Sequence, residues 1–182
     1  MQYLINFAAA ILLLFSLPAY SATFLDGHTI TTAFYFPDQN TIGFGGEPIQ
    51  SLVGPGVEIS GSPQGFPIAS INFSDTAITL TFTENLIGSV APFNGWRFYD
   101  ADGTLPAFAN ASMKTNNTSG WFIFFDSDNI WLNGSGAEFF DASTVTIEVS
   151  PVPESATTWM LAFGLGIVAV VTKRSRQQLR KA

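Results

Sequence analysis

The sequence predicts an all-β protein: an antiparallel β-sandwich, jelly-roll-like or immunoglobulin-like, between an N-terminal signal peptide and a C-terminal transmembrane helix. Three observations lead to this prediction. Between Thr29 and Val149, short segments alternate apolar and polar residues with a period of two. Glycine, proline, asparagine and aspartate interrupt these segments frequently. Finally, each end of the chain carries an uninterrupted apolar run.

The first apolar run is typical of a secretory signal peptide. It extends over the nine residues from Phe7 to Phe15, which suits a signal core and is too short to span a bilayer. Pro18 ends the run, and small residues occupy the −3 and −1 positions of a cleavage site in Ala19-Tyr20-Ser21. We predict a signal peptide over residues 1–21; the alternative is a buried helix of the domain.

Residues 22–150 are predicted to form one β-sandwich domain of about nine or ten strands. Segments 76–83 and 144–149 alternate cleanly, which predicts half-buried strands whose core residues are Ile78, Leu80, Phe82, Val145, Ile147 and Val149. The run Trp121–Phe125 is apolar on both faces, which predicts a central strand covered on both sides. Five asparagines that each begin an Asn-x-Ser/Thr sequence are interpreted as polar loop residues: Asn72, Asn110, Asn116, Asn117 and Asn133.

Charge is divided unevenly along the chain. From Ala22 to Pro151 there are 13 acidic and two basic residues, a formal charge of −11, whereas the last 31 residues, 152–182, carry one acid and five bases, +4. The two parts sum to the net charge of −7. An acidic domain repels phosphates, so we exclude nucleic acid as a partner. The absence of cysteine excludes thiol chemistry and cysteine-ligated metals.

A short pattern of two aromatics, an aspartate, a small residue and a polar residue occurs three times, at 98–102, 124–128 and 139–143. The favoured interpretation is a strand ending in a turn, where the aspartate accepts hydrogen bonds from the backbone that follows it. The alternative is a calcium site, because carboxylates two residues apart on a loop can converge on one hard cation. Its ligands would be Asp100, Asp102, Asp126 and Asp128.

Enzymatic motifs are not found in the sequence. His28 is the one histidine, it has no nucleophile-elbow motif near it, and no phosphate-binding glycine loop occurs. Nothing singles out a pair of carboxylates for glycoside hydrolysis. We therefore predict a non-enzymatic protein without a cofactor, calcium being the alternative. Trp96, Tyr99, Trp121 and Trp131 are candidates for stacking on sugar rings, although most such aromatics belong to strand cores.

The second apolar run predicts a membrane anchor with a defined orientation. Residues 155–172 are uncharged, and a helix over 156–172 has about the length needed to cross the hydrocarbon core. Lys173, Arg174 and Arg176 follow at once. By the positive-inside rule they stay in the cytoplasm, so the acidic domain lies outside, in agreement with the signal peptide.

The tail over residues 151–182 resembles a PEP-CTERM sorting domain. Val152-Pro153-Glu154-Ser155 precedes the apolar run, glycines interrupt that run, and a basic cluster ends it. In that family a Pro-Glu-Pro-type motif, a transmembrane helix and an arginine-rich end follow in this order; position 155 holds serine where the second proline is usual. The resemblance covers residues 152–182 and implies processing by an exosortase in an exopolysaccharide-secreting Gram-negative bacterium. The alternative is a plain single-pass anchor.

These observations predict an exported protein, anchored in the membrane before processing and then located at the cell surface or in the extracellular matrix. The leading hypothesis for its β-domain is a non-enzymatic structural or surface role. The alternative is a polysaccharide-binding module, assisted by calcium.

Overall fold

The computed structural model describes residues 23–43, 46–60 and 68–152, together with Gly166. These residues form antiparallel sheets with almost no helix, so the all-β prediction is confirmed. Ten strands occur in chain order: β1 (Thr29–Tyr35), β2 (Ile49–Leu52), β3 (Ala69–Ser74), β4 (Ala77–Phe82), β5 (Leu86–Ile87), β6 (Gly95–Tyr99), β7 (Phe108–Ser119), β8 (Phe122–Phe125), β9 (Asn129–Asn133) and β10 (Glu138–Pro151).

The strands make two sheets of five. Sheet 1 has the order β2-β1-β6-β9-β8, and every neighbouring pair in it is antiparallel. Sheet 2 has the order β3-β4-β10-β5, and β7 also pairs with β10. Within β10, residues 144–148 pair with both β4 and β7, whereas residues 138 and 139 pair with both β5 and β7.

The sheets pack face to face around one main core. The six core residues predicted for segments 76–83 and 144–149 are each at most 5% exposed, which confirms the alternation that predicted them. From sheet 1 they meet Trp96, Phe98, Ile130 and Leu132. Ring contacts cross between the sheets, such as Phe73 against Phe98 with centroids 6.1 Å apart. Full burial of each large apolar side chain contributes about 1.5–3 kcal/mol.

The prediction that Trp121–Phe125 is a central strand is wrong. Its residues 122–125 form β8, which lies at an edge of sheet 1, and Phe122 is 65% exposed. Ile123 packs against the core, whereas Phe122 and Phe124 face outward. On the outer face of sheet 1, Phe124 of this strand packs against Trp131 and the buried Phe93, whereas Phe122 is left exposed.

Strand β7 was not predicted, and it places Asn110, Asn116 and Asn117 in a strand, not in a loop. The loop interpretation is also wrong for Asn72 and Asn133, which lie in β3 and β9. Asparagine disfavours strands, but β7 pairs with β10 over most of its twelve residues. The exposed ion pair between Lys114 and Glu148 joins the two strands. Strand pairing to a long neighbour therefore overrides the local preference.

One end of the sandwich brings several loops and both described chain ends together. The backbone N–H of Leu25 donates to the carbonyl of Asp75 at 3.2 Å, and that of Val152 donates to the carbonyl of Ala107 at 2.9 Å. The loops after β6 and β8 lie at the same end. We call it the terminal end. Six aspartates lie there: Asp26, Asp75, Asp100, Asp102, Asp126 and Asp128.

Candidate functional site

The first two aspartate patterns are turns, as their favoured interpretation predicts. Oδ1 of Asp100 accepts a hydrogen bond from the backbone N–H of Asp102 at 3.2 Å, and its Oδ2 accepts one from Leu105 at 2.7 Å. Oδ1 of Asp126 accepts from the backbone N–H groups of Asp128 and Asn129 at 2.9 and 2.8 Å. These aspartates end β6 and β8 by binding the backbone that follows them.

The structure brings the two aspartate turns side by side without forming a metal centre from them. The backbone N–H of Asp100 donates to the carbonyl of Asp128 at 3.2 Å. Nevertheless, within residues 23–43, 46–60 and 68–152 no group of three or more His, Cys, Asp or Glu side chains is placed to hold a metal ion. We therefore leave calcium out of the function proposed below.

The third copy of the pattern, at residues 139–143, is not a turn. It is a bulge within β10, where the pairing with β7 shifts between Phe139 and Thr144. Ala142 has a φ of 60°. The hydroxyl of Ser143 accepts a hydrogen bond from the N–H of Phe140 at 3.1 Å. The chain continues as a strand because β7 continues beside it.

The four aromatics considered for sugar stacking divide into two pairs. Trp96 and Trp121 are each 7% exposed and belong to the main core. Trp121 stacks on Phe82 with centroids 5.2 Å apart, and its Nε1–H donates to the hydroxyl of Thr118. Tyr99 and Trp131 instead lie on the outer face of sheet 1 and are half-buried. Only the second pair remains a candidate.

The outer face of sheet 1 carries a row of stacked side chains. Strand register places Arg97, Trp131 and Phe124 side by side on β6, β9 and β8. The rings of Trp131 and Phe124 are stacked, with centroids 5.3 Å apart and planes 12° from parallel. The Arg97 guanidinium lies 5.6 Å from the Trp131 centroid and 4.2 Å from that of Tyr99. We call Arg97, Tyr99, Phe122, Phe124 and Trp131 the outer aromatic face.

A chain of hydrogen bonds positions the guanidinium within this row. Nε and Nη2 of Arg97 both donate to Oδ1 of Asn129, at 2.9 and 2.6 Å. The Asn129 Nδ2 donates to the carboxylate of Asp126 at 2.8 and 3.1 Å. Since a carboxylate only accepts, Asp126 holds the Asn129 amide with its oxygen toward Arg97. The turn after β8 thereby supports the outer aromatic face.

Tyr99 lies against the guanidinium, and Thr31 is opposite Tyr99 on β1. Burial raises the pKa of Tyr99, the neighbouring Tyr35 raises it further, and Arg97 lowers it in part. The phenol therefore stays protonated at neutral pH. The Thr31 residue is 2% exposed, and its hydroxyl has no hydrogen-bond partner among the described residues.

The outer face of sheet 2 is different. Threonines and an ion pair cover it, with Thr79 and Thr146 in contact through their hydroxyls at 3.4 Å and Lys114 bound to Glu148. It is the ordinary solvated face that the alternating segments predict. The two outer faces of the sandwich are therefore chemically distinct, and the aromatic one is the candidate binding site.

Sequence reasoning missed Arg97. The signal was present in Gly95-Trp96-Arg97-Phe98-Tyr99, where a period of two puts Arg97 and Tyr99 on the face opposite Trp96 and Phe98. Once Trp96 is assigned to the core, Arg97 and Tyr99 must face outward.

The predicted targeting residues lie largely outside the described residues. Val152 is described and is 51% exposed. Outside the described residues lie the signal peptide, Pro153, Glu154, Ser155, the predicted helix 156–172 except Gly166, Lys173, Arg174 and Arg176. Among the described residues no helix has the length and apolar character to cross a membrane. Comparisons with protein-family models, curated proteins and solved structures find no match to this chain.

Proposed function

We propose that this protein is an exported, non-enzymatic component of the cell envelope or extracellular matrix, sorted through its tail by an exosortase-type enzyme of a Gram-negative bacterium. The observation that carries the proposal is the agreement between the two ends of the chain. A signal peptide at 1–21 exports the domain. The basic residues that follow segment 156–172 keep the C-terminal end of that segment in the cytoplasm. The domain itself we propose to be jelly-roll-like or immunoglobulin-like.

The geometry of the domain is compatible with a tail anchored in the membrane. Val152 leaves the sandwich at the terminal end, which carries six aspartates. Anionic lipid headgroups repel such an end, so a membrane-anchored domain would stand off the bilayer. The outer aromatic face lies on the side of the sandwich and stays accessible in that orientation.

Deletion of the tail tests the sorting role. The full chain and a chain ending at Val152 would be expressed in an exopolysaccharide-secreting bacterium and divided into envelope and medium. We expect the truncated chain to lose its envelope fraction. Glu154→Ala should block processing in the full chain, and Ser155→Pro, which restores the usual proline, should preserve or increase it. If the full and truncated chains are distributed identically between envelope and medium, the sorting proposal is contradicted.

A second candidate function, polysaccharide binding, is favoured by the outer aromatic face. Partly exposed aromatic rings and a guanidinium in one row provide apolar contact and hydrogen-bond donors for a sugar chain. Trp131 and Tyr99 also pack against a small second cluster of buried residues, Ala33, Tyr35 and Phe93, and Phe124 contacts Phe93. Packing therefore accounts for part of this face, and the exposed Phe122 and the exposed parts of Trp131 and Phe124 are what favour a binding role.

Retention of the full-length protein, in detergent, on secreted polysaccharide tests this second function. Trp131→Ala should lower the affinity by about tenfold, since loss of about 1.4 kcal/mol of contact corresponds to that factor. Thr146→Ala, on the outer face of sheet 2, is the matched control and should bind like the wild type. Equal retention of all three proteins would contradict a binding role for the outer aromatic face.

A further inference from the structure

Arg97 is the one cation of the described domain that lacks a carboxylate partner. The domain from 22 to 151 has 13 acids and two bases. The other base, Lys114, is 70% exposed and bound to Glu148. Arg97 is half-buried and makes no ion pair with any described residue. The charge of Arg97 lowers the pKa of Asp126, but that carboxylate reaches the guanidinium only through the Asn129 amide.

The guanidinium also keeps unused donors. Of its five N–H groups, Nε–H and one Nη2–H are directed at Asn129. The other three have no acceptor among the described residues. Tyr99 and Trp131 cover the guanidinium, and Asn129 with Asp126 fixes its position, so little rotamer entropy is lost when a ligand binds.

The free N–H donors of Arg97 are suited to bind a carboxylate group. A planar guanidinium with free donors binds a carboxylate through two parallel hydrogen bonds. The hydroxyl of Thr31, buried and without a partner beside Tyr99, is a second polar group on the same face. Asp126 is near enough for the charge of Arg97 to lower its pKa, but its carboxylate is occupied by hydrogen bonds from Asn129 and from the backbone of Asp128. At physiological salt, exposed charges more than about 8 Å away are largely screened.

We propose that the outer aromatic face binds an acidic sugar unit, with the carboxylate of a uronic acid on the free donors of Arg97 and the sugar ring against Trp131 and Phe124. The inference rests on the proposed polysaccharide binding and adds the class of ligand. It assigns Arg97 as the residue that determines specificity and Asn129 as the residue that positions it.

The test uses full-length protein in detergent and two probes of one backbone: oligogalacturonate and its methyl ester. We expect the wild type to bind the acid at least tenfold more tightly than the ester. Arg97→Gln should weaken binding of the acid by roughly 10- to 100-fold, the effect of losing hydrogen bonds to a charged group, and weaken binding of the ester by much less. Arg97→Lys should restore part of the difference, and Lys114→Gln is the matched control.

The outcomes separate the two proposals. Equal affinity of the wild type for acid and ester overturns the acidic-sugar inference and leaves sugar binding intact. Binding of neither probe, together with no retention on secreted polysaccharide, overturns sugar binding itself. The acid–ester comparison needs no variant, so a folding defect in Arg97→Gln, detected by thermal melting, does not prevent a decision.

Discussion

The indole ring of Trp121 fills the space into which a side chain at position 134 would project: a Cβ on Gly134 would lie 2.3 Å from Cζ3 of the indole. The ring cannot move aside freely. It stacks on Phe82 and lies 6.0 Å from Trp96 and 5.9 Å from Phe139, measured between centroids. Packing of this core aromatic therefore requires glycine at 134.

Gly134→Ala should consequently destabilise the domain by about 1–3 kcal/mol, the usual cost of overpacking a core. Thermal melting measures the effect. Gly54→Ala is the matched control, because a Cβ there would have no atom within 4 Å. If Gly134→Ala and Gly54→Ala melt at the same temperature, the Trp121 ring moves to make room for the added Cβ and the prediction is wrong.

Asp75 holds the segment that precedes β1. Its Oδ1 accepts hydrogen bonds from the backbone N–H groups of Phe24, Leu25 and Asp26 at 3.3 Å or less, and Phe24 and Leu25 are buried in the core. Asp75→Ala should cost about 1–3 kcal/mol, because it leaves the N–H groups of Phe24 and Asp26 without this acceptor, whereas that of Leu25 keeps the Asp75 carbonyl.

Asp75→Asn retains Oδ1 as an acceptor and should cost less. Melting and limited proteolysis near residue 24 would measure both effects. Asp26→Ala, which removes a neighbouring carboxylate without a hydrogen bond among the described residues, should behave like the wild type. Equal proteolysis of Asp75→Ala and Asp26→Ala would contradict the anchoring role of Asp75.

Ala142 occupies the left-handed region at φ 60° within the β10 bulge. A side chain costs about 1–2 kcal/mol there, and glycine avoids that cost while losing about 0.4–1 kcal/mol to its greater freedom in the unfolded chain. Ala142→Gly should therefore raise stability by about 0.5–1 kcal/mol. Ala111→Gly in β7 should lower it, and denaturant titration would compare the two. A loss of stability in both variants would show that the Ala142 backbone is unstrained.

The pKa of Asp126 lies below its ordinary value of 3.8. Burial raises this pKa, but hydrogen bonds from the Asp128 backbone and from Asn129, with the charge of Arg97, lower it by more. Because the folded state favours the carboxylate, its contribution to stability is present above the unfolded pKa and lost as the pH falls through the folded one.

Wild type should therefore be more stable than Asp126→Asn at pH 7, and the difference should shrink as the pH falls below about 4. Melting temperatures of both proteins between pH 7 and pH 2 measure this. Asp102→Asn, which removes a carboxylate without a hydrogen bond among the described residues, should show no such change. If the difference in melting temperature between the wild type and Asp126→Asn is constant with pH, the ionised Asp126 carboxylate is not what stabilises the wild type.

The candidate site was only partly predictable from the sequence. Trp131 and Tyr99 were among the predicted aromatics, but Trp96 and Trp121 were equally good candidates until the structure placed them in the core. Hydrophobicity alone does not tell an inward-facing tryptophan from an outward-facing one. The row of Arg97, Trp131 and Phe124 depends on the register of three strands that are far apart in the sequence.

Local patterns were enough to predict the all-β class, the core faces of β4 and β10, and the turns at Asp100 and Asp126, because a two-residue period and an aspartate that binds its own backbone are local properties. The edge position of β8, the existence of β7 and the bulge at residues 139–143 became known from the three-dimensional structure. Each of these depends on which strand lies alongside, and strand pairing joins residues whose sequence separation leaves no local signal.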